Sequence, residues 1–484
     1  MCVLQAWQDK AASAPAIHLG LMTAADCCVA VRWSRFAASP SLWTDGVTAL
    51  ARVLLLVLSL VAAAAHAQDP AGRVAPVLRL AIDQDYYQGR ESLDRVAADF
   101  ALVHRLSVGI LRPGIGWDDT NPRPDRYTWG FWSGVVARAQ RAGIAVRPYY
   151  AFTPAWAAAA YNAPPRNDAT LARACGVLGA VIGGAVPTLE IWNEPDNDAF
   201  WNGTAGQFGR ALDDCAAAIR QAPVHPRIVL GGLVYLDSVW LARSGAAAPG
   251  SYDIAAFHEY SETPWAPITV EQINSAADYD QGYDGISQNG AVAVWMNEGG
   301  ASTDGRLGYS EATQASWIRR TFASVIGHPG RPISLFGLYQ LRDLDPALSQ
   351  PIGDKVARQF FLHTGLFTVD GRPKLGAATY ADLARLFDGH RPALQSGVAY
   401  QTVDGHVSKL FRLYAWRLES GRQVVMLWDR QASSAGTLVL ADRGHAAFLH
   451  KADGSVQPVR GFDGHAIDIP VLQAGGMPLL YEIR

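Results

Sequence analysis

The stretch LEIWNEPD, Leu189 to Asp196, ends an apolar run on Trp192, Asn193, Glu194 and Pro195. A carboxylate at the mouth of a buried strand has no evident packing role, so the pattern around it decides what the strand belongs to. Apolar strand-like runs recur on both sides: Leu78–Ile82, Ser107–Leu111, Ile144–Tyr149, Thr188–Trp192, Arg227–Leu233, Ile254–His258, Ala291–Met296 and Ile333–Tyr339. Between them lie segments with apolar residues at spacings of three and four, which predict helices over Leu93–His104, Phe131–Ala142, Thr170–Ile182, Gly206–Gln221 and Glu311–Ile326. Eight strand-then-helix repeats imply an α/β chain folded as a closed (β/α)8 TIM barrel rather than an open doubly wound sheet. No glycine-rich phosphate fingerprint follows the first strand, where AIDQDYY stands instead.

The texture changes after Gly389. VSKLFRLYAWRL, RQVVMLWD, GTLVLAD, HAAFLHKADG and LLYEIR read as short strands between Gly, Asp and Ser turns. They predict a C-terminal antiparallel β-sandwich over 389–484 beside a barrel over 74–388, with a fixed interface because no Ser/Thr/Pro linker separates them. At the other end, residues 1–67 read as a leader. Arg52, the apolar run Val53–Ala65 and the small-x-small triplet Ala65-His66-Ala67 have the form of a secretory signal peptide over about 47–67. The late position of that signal suggests a translation start near Val47, with the upstream residues a start-site artefact. The expected location is secreted or periplasmic in a bacterium, with no membrane span in the mature chain.

Composition narrows the partners. The hydrophobic share is 49% and the charged share 18%, which suits a large globular core. A formal net charge of −3 lacks the cationic excess that nucleic acid or an anionic membrane surface demands. Of the five cysteines, Cys2, Cys27 and Cys28 fall in the leader; Cys175 and Cys215 remain, on neighbouring predicted helices, as a disulfide or as two buried thiols. The fifteen tryptophans serve a core in the main, though an indole face also stacks on a sugar ring.

In a (β/α)8 barrel the C-terminal strand ends carry the active site. Glu194 sits just past the fourth strand, and the seventh, AVAVWMNEGGAS, ends on Glu298 followed by two glycines. Two carboxylates on strands four and seven face each other across the mouth, at a separation that a barrel of this size can set at about 5 Å, the spacing of a retaining glycosidase.

WNEP on the fourth strand with a Glu on the seventh resembles clan A of the glycoside hydrolases. The likeness extends to GILRPGIGWDDTNPRPDRYTW (109–129), to FHEY on the sixth strand, to HTGLFTVDGRPKLGAATYADLARLF (363–387) and to the β-sandwich tail, a companion found in family 39. MNEGGAS stands where family 39 has a Thr-Glu form. The resemblance implies that Glu194 is the general acid/base, with a nearby Glu298 and partial burial favouring the proton it needs at the first step, and that Glu298 is the nucleophile. It implies that Arg112 keeps Glu298 ionised, that Asn193 bonds the sugar 2-hydroxyl, and that Tyr260 or His258 orients the nucleophile. Trp117, Trp156 and Trp201 each follow a strand end and are candidate sugar platforms.

Other acidic residues have plainer readings. Glu190 lies deeper than the strand mouth and reads as a barrel-interior group; Glu259 alternates away from His258 and Tyr260 and reads as structural. Asp83 and Asp85 either meet a distal sugar hydroxyl or cap the following helix. No His-Glu-x-x-His or close His/Cys cluster suggests a metal, and no cofactor is implied. The expectation is a secreted retaining enzyme that cleaves a polysaccharide or oligosaccharide, endo-acting on a bacterial exopolysaccharide. Its alternatives are an exo-acting β-glycosidase such as a β-xylosidase, and a noncatalytic polysaccharide-binding protein of exopolysaccharide assembly.

Overall fold

The computed structural model describes residues 75–484 apart from 235, 245–249, 274–276, 288–290, 348–353 and 404. The leader reading, Cys2, Cys27 and Cys28 fall outside the described residues.

Eight parallel strands form the first layer: β1 (Arg79–Asp83), β2 (Ile110–Arg112, resuming as Gly114–Gly116), β3 (Ala145–Val146, resuming as Tyr149–Ala151), β4 (Thr188–Ile191), β5 (Arg227–Leu230), β6 (Ile254–Glu259), β7 (Ala293–Gly299) and β8 (Leu335–Tyr339). The breaks in β2 and β3 fall at Pro113 and at Arg147-Pro148, where a ring replaces the ladder N–H. The ladder nonetheless runs on through them, because Ala145, Arg147 and Tyr149 donate in turn to the carbonyls of Gly109, Leu111 and Pro113. β8 pairs β1 and β1 pairs β2, so the sheet closes on itself.

Among the described residues a helix packs outside each strand: α1 (Leu93–Arg105), α2 (Gly130–Arg141), α3 (Asp168–Ile182), α4 (Ala205–Arg220), α5 (Ser238–Ser244), α6 (Ala277–Ser287), α7 (Glu311–Ile326) and α8 (Leu375–Phe387). Their starts follow local chemistry. Ser92 accepts from the Arg95 amide, and Thr204 and Gln207 form a reciprocal capping box on α4. The second strand begins three residues later than the sequence pattern predicts, because Ser107 takes a left-handed φ of 58° as the chain leaves α1. The span Asp168–Ala185, which contains α3, is apolar and long enough by composition to cross a membrane, but here it packs on α4 as a barrel helix.

Strand alternation sorts the barrel interior into layers. Ala81, Ile110, Val229, Ile254, Ala256, Trp295 and Leu335 make a dry plug. Toward the C-terminal mouth the inward residues turn polar: Asp83, Arg112, Glu190, Asn297 and His258, all buried. The outward residues of the same strands, such as Leu189, Ile191, Ala255 and Met296, pack on the helices.

Cys175 of α3 and Cys215 of α4 are joined by a disulfide, closing a loop that contains β4 and Glu194. Closing a loop of that length contributes roughly 4 kcal/mol in the chain-entropy account. Thiol reduction, or the double change Cys175→Ala and Cys215→Ala, is therefore expected to lower the melting temperature by several degrees in a calorimetric scan.

Past α8 the chain builds a six-stranded antiparallel sheet in the order β9 (Ala393–Leu394), β11 (Phe411–Arg417), β12 (Gln423–Asp429), β17 (Leu479–Ile483), β14 (Ala447–His450), β15 (Val456–Pro458). A three-stranded sheet of β10 (Ala399–Thr402), β13 (Ser434–Val439) and β16 (Ala466–Leu472) covers its far face. Alternate residues of one strand serve two cores: Val424, Met426 and Trp428 join the barrel core, while Val425 and Leu427 face the smaller sheet. The junction is stitched by backbone bonds between Leu78 and His390 and between Gly389 and Leu78.

A buried polar cluster spans this interface. Arg319 of α7 donates to the carbonyls of Pro478 and His450, and His450 Nδ1 bonds Asp382 of α8 at 3.0 Å with Glu482 3.4 Å from its other nitrogen. Burial opposes charge on His450, but the bonds to Asp382 and Glu482 outweigh it and raise its pKa. The stabilisation is thus complete below the ordinary histidine pKa of about 6.5 and is lost as pH rises through the elevated folded value. A His450→Gln variant should lose that part of the pH dependence of the melting temperature between neutral and mildly alkaline buffer.

Candidate active site

Two local irregularities aim the mouth residues. Just past β4, Trp192 and Glu194 hold φ values of 74° and 45°, a left-handed backbone that costs a non-glycine residue on the order of 1 kcal/mol or more. The turn is held by the Glu194 amide, which donates to the Gly232 carbonyl. Gly231 and Gly232 make room for it: a Cβ on the first would lie 2.6 Å from the Ile191 carbonyl oxygen, and on the second 2.1 Å from His258 Nε2.

In β7 the pairing with β6 slips between Phe257↔Met296 and His258↔Glu298, leaving Asn297 as an extra residue. Trp295 and Asn297 face the barrel interior, and strict alternation would send Glu298 outward to the helices. The bulge returns it to the mouth, where bulges commonly re-aim a side chain.

The structure brings Glu194, Glu298, Arg112, Asn193, His258 and Tyr260 together. A carboxylate oxygen of each glutamate and a ring nitrogen of His258 lie within 4.8 Å of one another. His258 Nδ1 is 2.9 Å from Glu194 Oε1, and its Nε2 is 3.7 Å from Glu298 Oε2. Asn197, in the turn after β4, donates to the other Glu194 oxygen at 2.9 Å. Glu298 accepts from Arg112 Nη1 at 2.8 Å and from the Tyr260 hydroxyl at 2.9 Å. Burial resists a charge on Glu298, yet His258, Arg112 and the Tyr260 bond together hold its carboxyl below the usual range. His258 is fully buried, which disfavours its cation, but Glu298 and Glu194 more than compensate and raise its pKa.

Arg112 is the hub. Its Nε and Nη2 grip Glu190 at 2.7 and 2.9 Å, its Nη1 reaches Asp83 and Glu298, each at 2.8 Å, and its Nη2 reaches Asn193 Oδ1 at 3.2 Å. All five guanidinium N–H bonds are spent. Glu190, the interior carboxylate, also accepts from the Gly232 amide and from Asn297 Nδ2, both at 2.8 Å. Glu259 points away, accepting from the Ser261 amide, and burial pushes it up to about 7.

Two of the three candidate tryptophan platforms are buried. Trp117 and Trp201 are 0% and 1% exposed and offer no face to a sugar. The Trp117 indole bonds Asn121 within its own turn, and Trp201 packs edge-on against Trp192 at 4.9 Å. Trp156 is half-buried, bonded to the Asn121 carbonyl and packed on the edge of Trp117. The partly exposed aromatics beside Tyr260 are instead Phe361, Trp265 and Tyr339; the Trp265 and Phe361 rings stack at 5.6 Å. They escaped the sequence reading because they come from the loop after β6, from the end of a short helix (Lys355–Phe361) after β8 and from the last residue of β8, with no motif to mark them. Asn197 and Asn297 were also missed, although both lie within three residues of a singled-out glutamate. Asp83 and Asp85 do not cap α1, a role taken by Ser92.

Glu194, His258 and Glu298 have the donor types for a cation, but the buried Arg112 charge bonded to Glu298 works against one there.

No family model matches the sequence, and none of the curated proteins does. Solved structures do. A family 39 glycoside hydrolase from the gut symbiont Bacteroides cellulosilyticus WH2 superposes with a TM-score of 0.62 at 14% identity, over 85% of this chain and 81% of that one. A family 30 endoxylanase from Clostridium papyrosolvens C71 gives 0.56 at 13%, over 85% and 97%. A monomeric β-xylosidase from Caulobacter crescentus CB15 gives 0.55 at 14%, over 85% and 98%. The chain therefore has the barrel-plus-β-domain fold of the family 39 and family 30 glycoside hydrolases.

Proposed function

We propose that this protein is a secreted retaining glycoside hydrolase, endo-acting on a bacterial exopolysaccharide or a related polysaccharide. The observation that carries this reading is the pair of carboxylates, Glu194 and Glu298, within 4.8 Å at the tops of β4 and β7 and in unlike surroundings. That spacing leaves no room for a water between carboxylate and sugar and suits direct attack. Only Glu298 has a guanidinium and a phenol on its oxygens; Glu194 has an imidazole and an amide.

In the first step a Glu298 oxygen attacks the anomeric carbon while the bond to the leaving oxygen breaks, and Glu194 gives that oxygen its proton. In the second step Glu194 takes a proton from water, whose oxygen attacks the same carbon and releases Glu298 as a carboxylate. Asn193, bonded to Arg112, would meet the 2-hydroxyl, where a bond strengthens as the oxocarbenium-like state forms. The partly exposed aromatics Trp265, Phe361 and Tyr339 on one flank, and the exposed Tyr161 beside Phe152 on another, suit a chain longer than one sugar. The signal-like leader supports export.

Proton NMR during hydrolysis tests the reaction class. The first-formed product should keep the anomeric configuration of the substrate, and inversion would contradict the mechanism. Product size then separates the modes: an oligosaccharide ladder fits endo action, monosaccharide alone fits a β-xylosidase-like exo enzyme, and no cleavage of any polysaccharide fits a binding protein.

A further inference from the structure

Asp85, two residues beyond β1, is built into the mouth rather than left in a loose loop. Its Oδ1 accepts from the Gly114 amide and from the Tyr149 hydroxyl, both at 3.0 Å, and its Oδ2 has no protein partner among the described residues. The side chain is half-buried, so that second oxygen stays open to the mouth. The supports are fixed in turn. Tyr149 lies under the Arg112 guanidinium, 4.7 Å from ring centre to cation, and its hydroxyl crosses β2 where only glycine fits: a Cβ on Gly114 would sit 2.3 Å from the Tyr149 oxygen. Burial first, and then the charge of Glu298, push the Asp85 carboxyl up, which places it in electrostatic reach of that glutamate.

Nearby charge sharpens the consequence. The cations in contact with Glu298 are Arg112 and His258. Every N–H of Arg112 is engaged, and His258 is fully buried against Glu194. A sugar docked at Glu298 therefore meets two carboxyl groups, Asp85 and Glu298, with Asp83 buried behind them on Arg112, and no free cation from Arg112 or His258.

We infer that Asp85 is a specificity-determining residue of the subsite at Glu298: it binds ring hydroxyls of a neutral sugar through its open oxygen and rejects uronic acids. This rests on the glycosidase reading and names the sugar class it takes. A uronate carboxylate would be held close to Asp85 and Glu298 without a counter-ion, a repulsion that desolvation strengthens. A neutral pyranose instead supplies hydroxyl donors to an acceptor already oriented by two bonds.

The test uses 4-methylumbelliferyl β-D-glycosides of xylose, glucose, galactose, mannose and glucuronic acid with the wild type, Asp85→Asn and Tyr149→Phe, alongside covalent trapping by 2-deoxy-2-fluoro glycosyl fluorides of the same neutral sugars. Wild type should cleave or trap at least one neutral sugar and show no measurable rate on the glucuronide. Asp85→Asn, with an unchanged melting temperature, should raise KM and lower kcat/KM on that sugar by about 100-fold or more, the scale of a lost hydroxyl contact. Tyr149→Phe, which only loosens Asp85, should give a smaller loss of the same kind. Glucuronide cleavage at a rate like that of the neutral sugars, or an Asp85→Asn variant with wild-type KM and kcat, would overturn the assignment while leaving the glycosidase reading intact. A wild-type protein that neither cleaves nor traps any of these sugars and cleaves no polysaccharide would overturn both.

Discussion

Glu298→Ala is expected to lower kcat by about 10⁴-fold or more while leaving the affinity for a polysaccharide or oligosaccharide near that of the wild type. A factor of 10⁴ corresponds to about 5.5 kcal/mol of lost transition-state stabilisation. On the proposed mechanism the affinity survives because the deleted carboxylate would bond the anomeric carbon only as the reaction proceeds, whereas the aromatic flanks and Asn193 would meet the substrate from the start. The substitution also vacates space beside Arg112, so added azide should restore turnover and give a glycosyl azide of inverted configuration. Steady-state kinetics with and without azide check both parts. A variant with near-normal kcat would remove Glu298 from the chemistry, and loss of turnover with no azide rescue would leave its role unproven as a nucleophile.

Arg112→Lys should cost both stability and rate. One ammonium has three donors and no fork, so it cannot serve Glu190 twice together with Asp83, Glu298 and Asn193. At least one buried carboxylate is left short of a partner, a defect worth about 3–5 kcal/mol when a buried pair is broken outright. The melting temperature should fall clearly, and kcat/KM by about 10²-fold or more as Asn193 and Glu298 lose their fixed positions. The pH profile carries the more specific sign. Arg112 helps hold the Glu298 carboxyl below its usual range, so weakening that contact raises the Glu298 pKa and moves the acid limb of kcat/KM to higher pH. An acid limb that stays where it was would show that Arg112 supports the fold without tuning the nucleophile.

The barrel was legible because its signals are local and repeated. Eight apolar runs alternate with helical periodicity. Glu194 and Glu298 stood out because a lone carboxylate after an apolar run contradicts the surrounding pattern. What the sequence hid is what tertiary contact decides. Trp117 and Trp201 follow strand ends as a sugar platform would, but whether an indole faces solvent depends on the loops that cover it, and here Asn121 and Trp192 take both inward. The bulge at Asn297 is invisible in a count of alternating residues, which would have turned Glu298 toward the helices. The five-way engagement of Arg112 draws on four strands or their ends and has no sequence spacing at all.

The most direct measurement is intact-protein and peptide mass spectrometry after incubation with a 2-deoxy-2-fluoro glycosyl fluoride that labels the wild type. The expected result is a single added fluorosugar mapped to the peptide carrying Glu298, and none on Glu298→Ala. An adduct on Glu194 or on any other residue, or equal labelling of wild type and variant, would contradict the assignment of Glu298 as the nucleophile of a retaining enzyme.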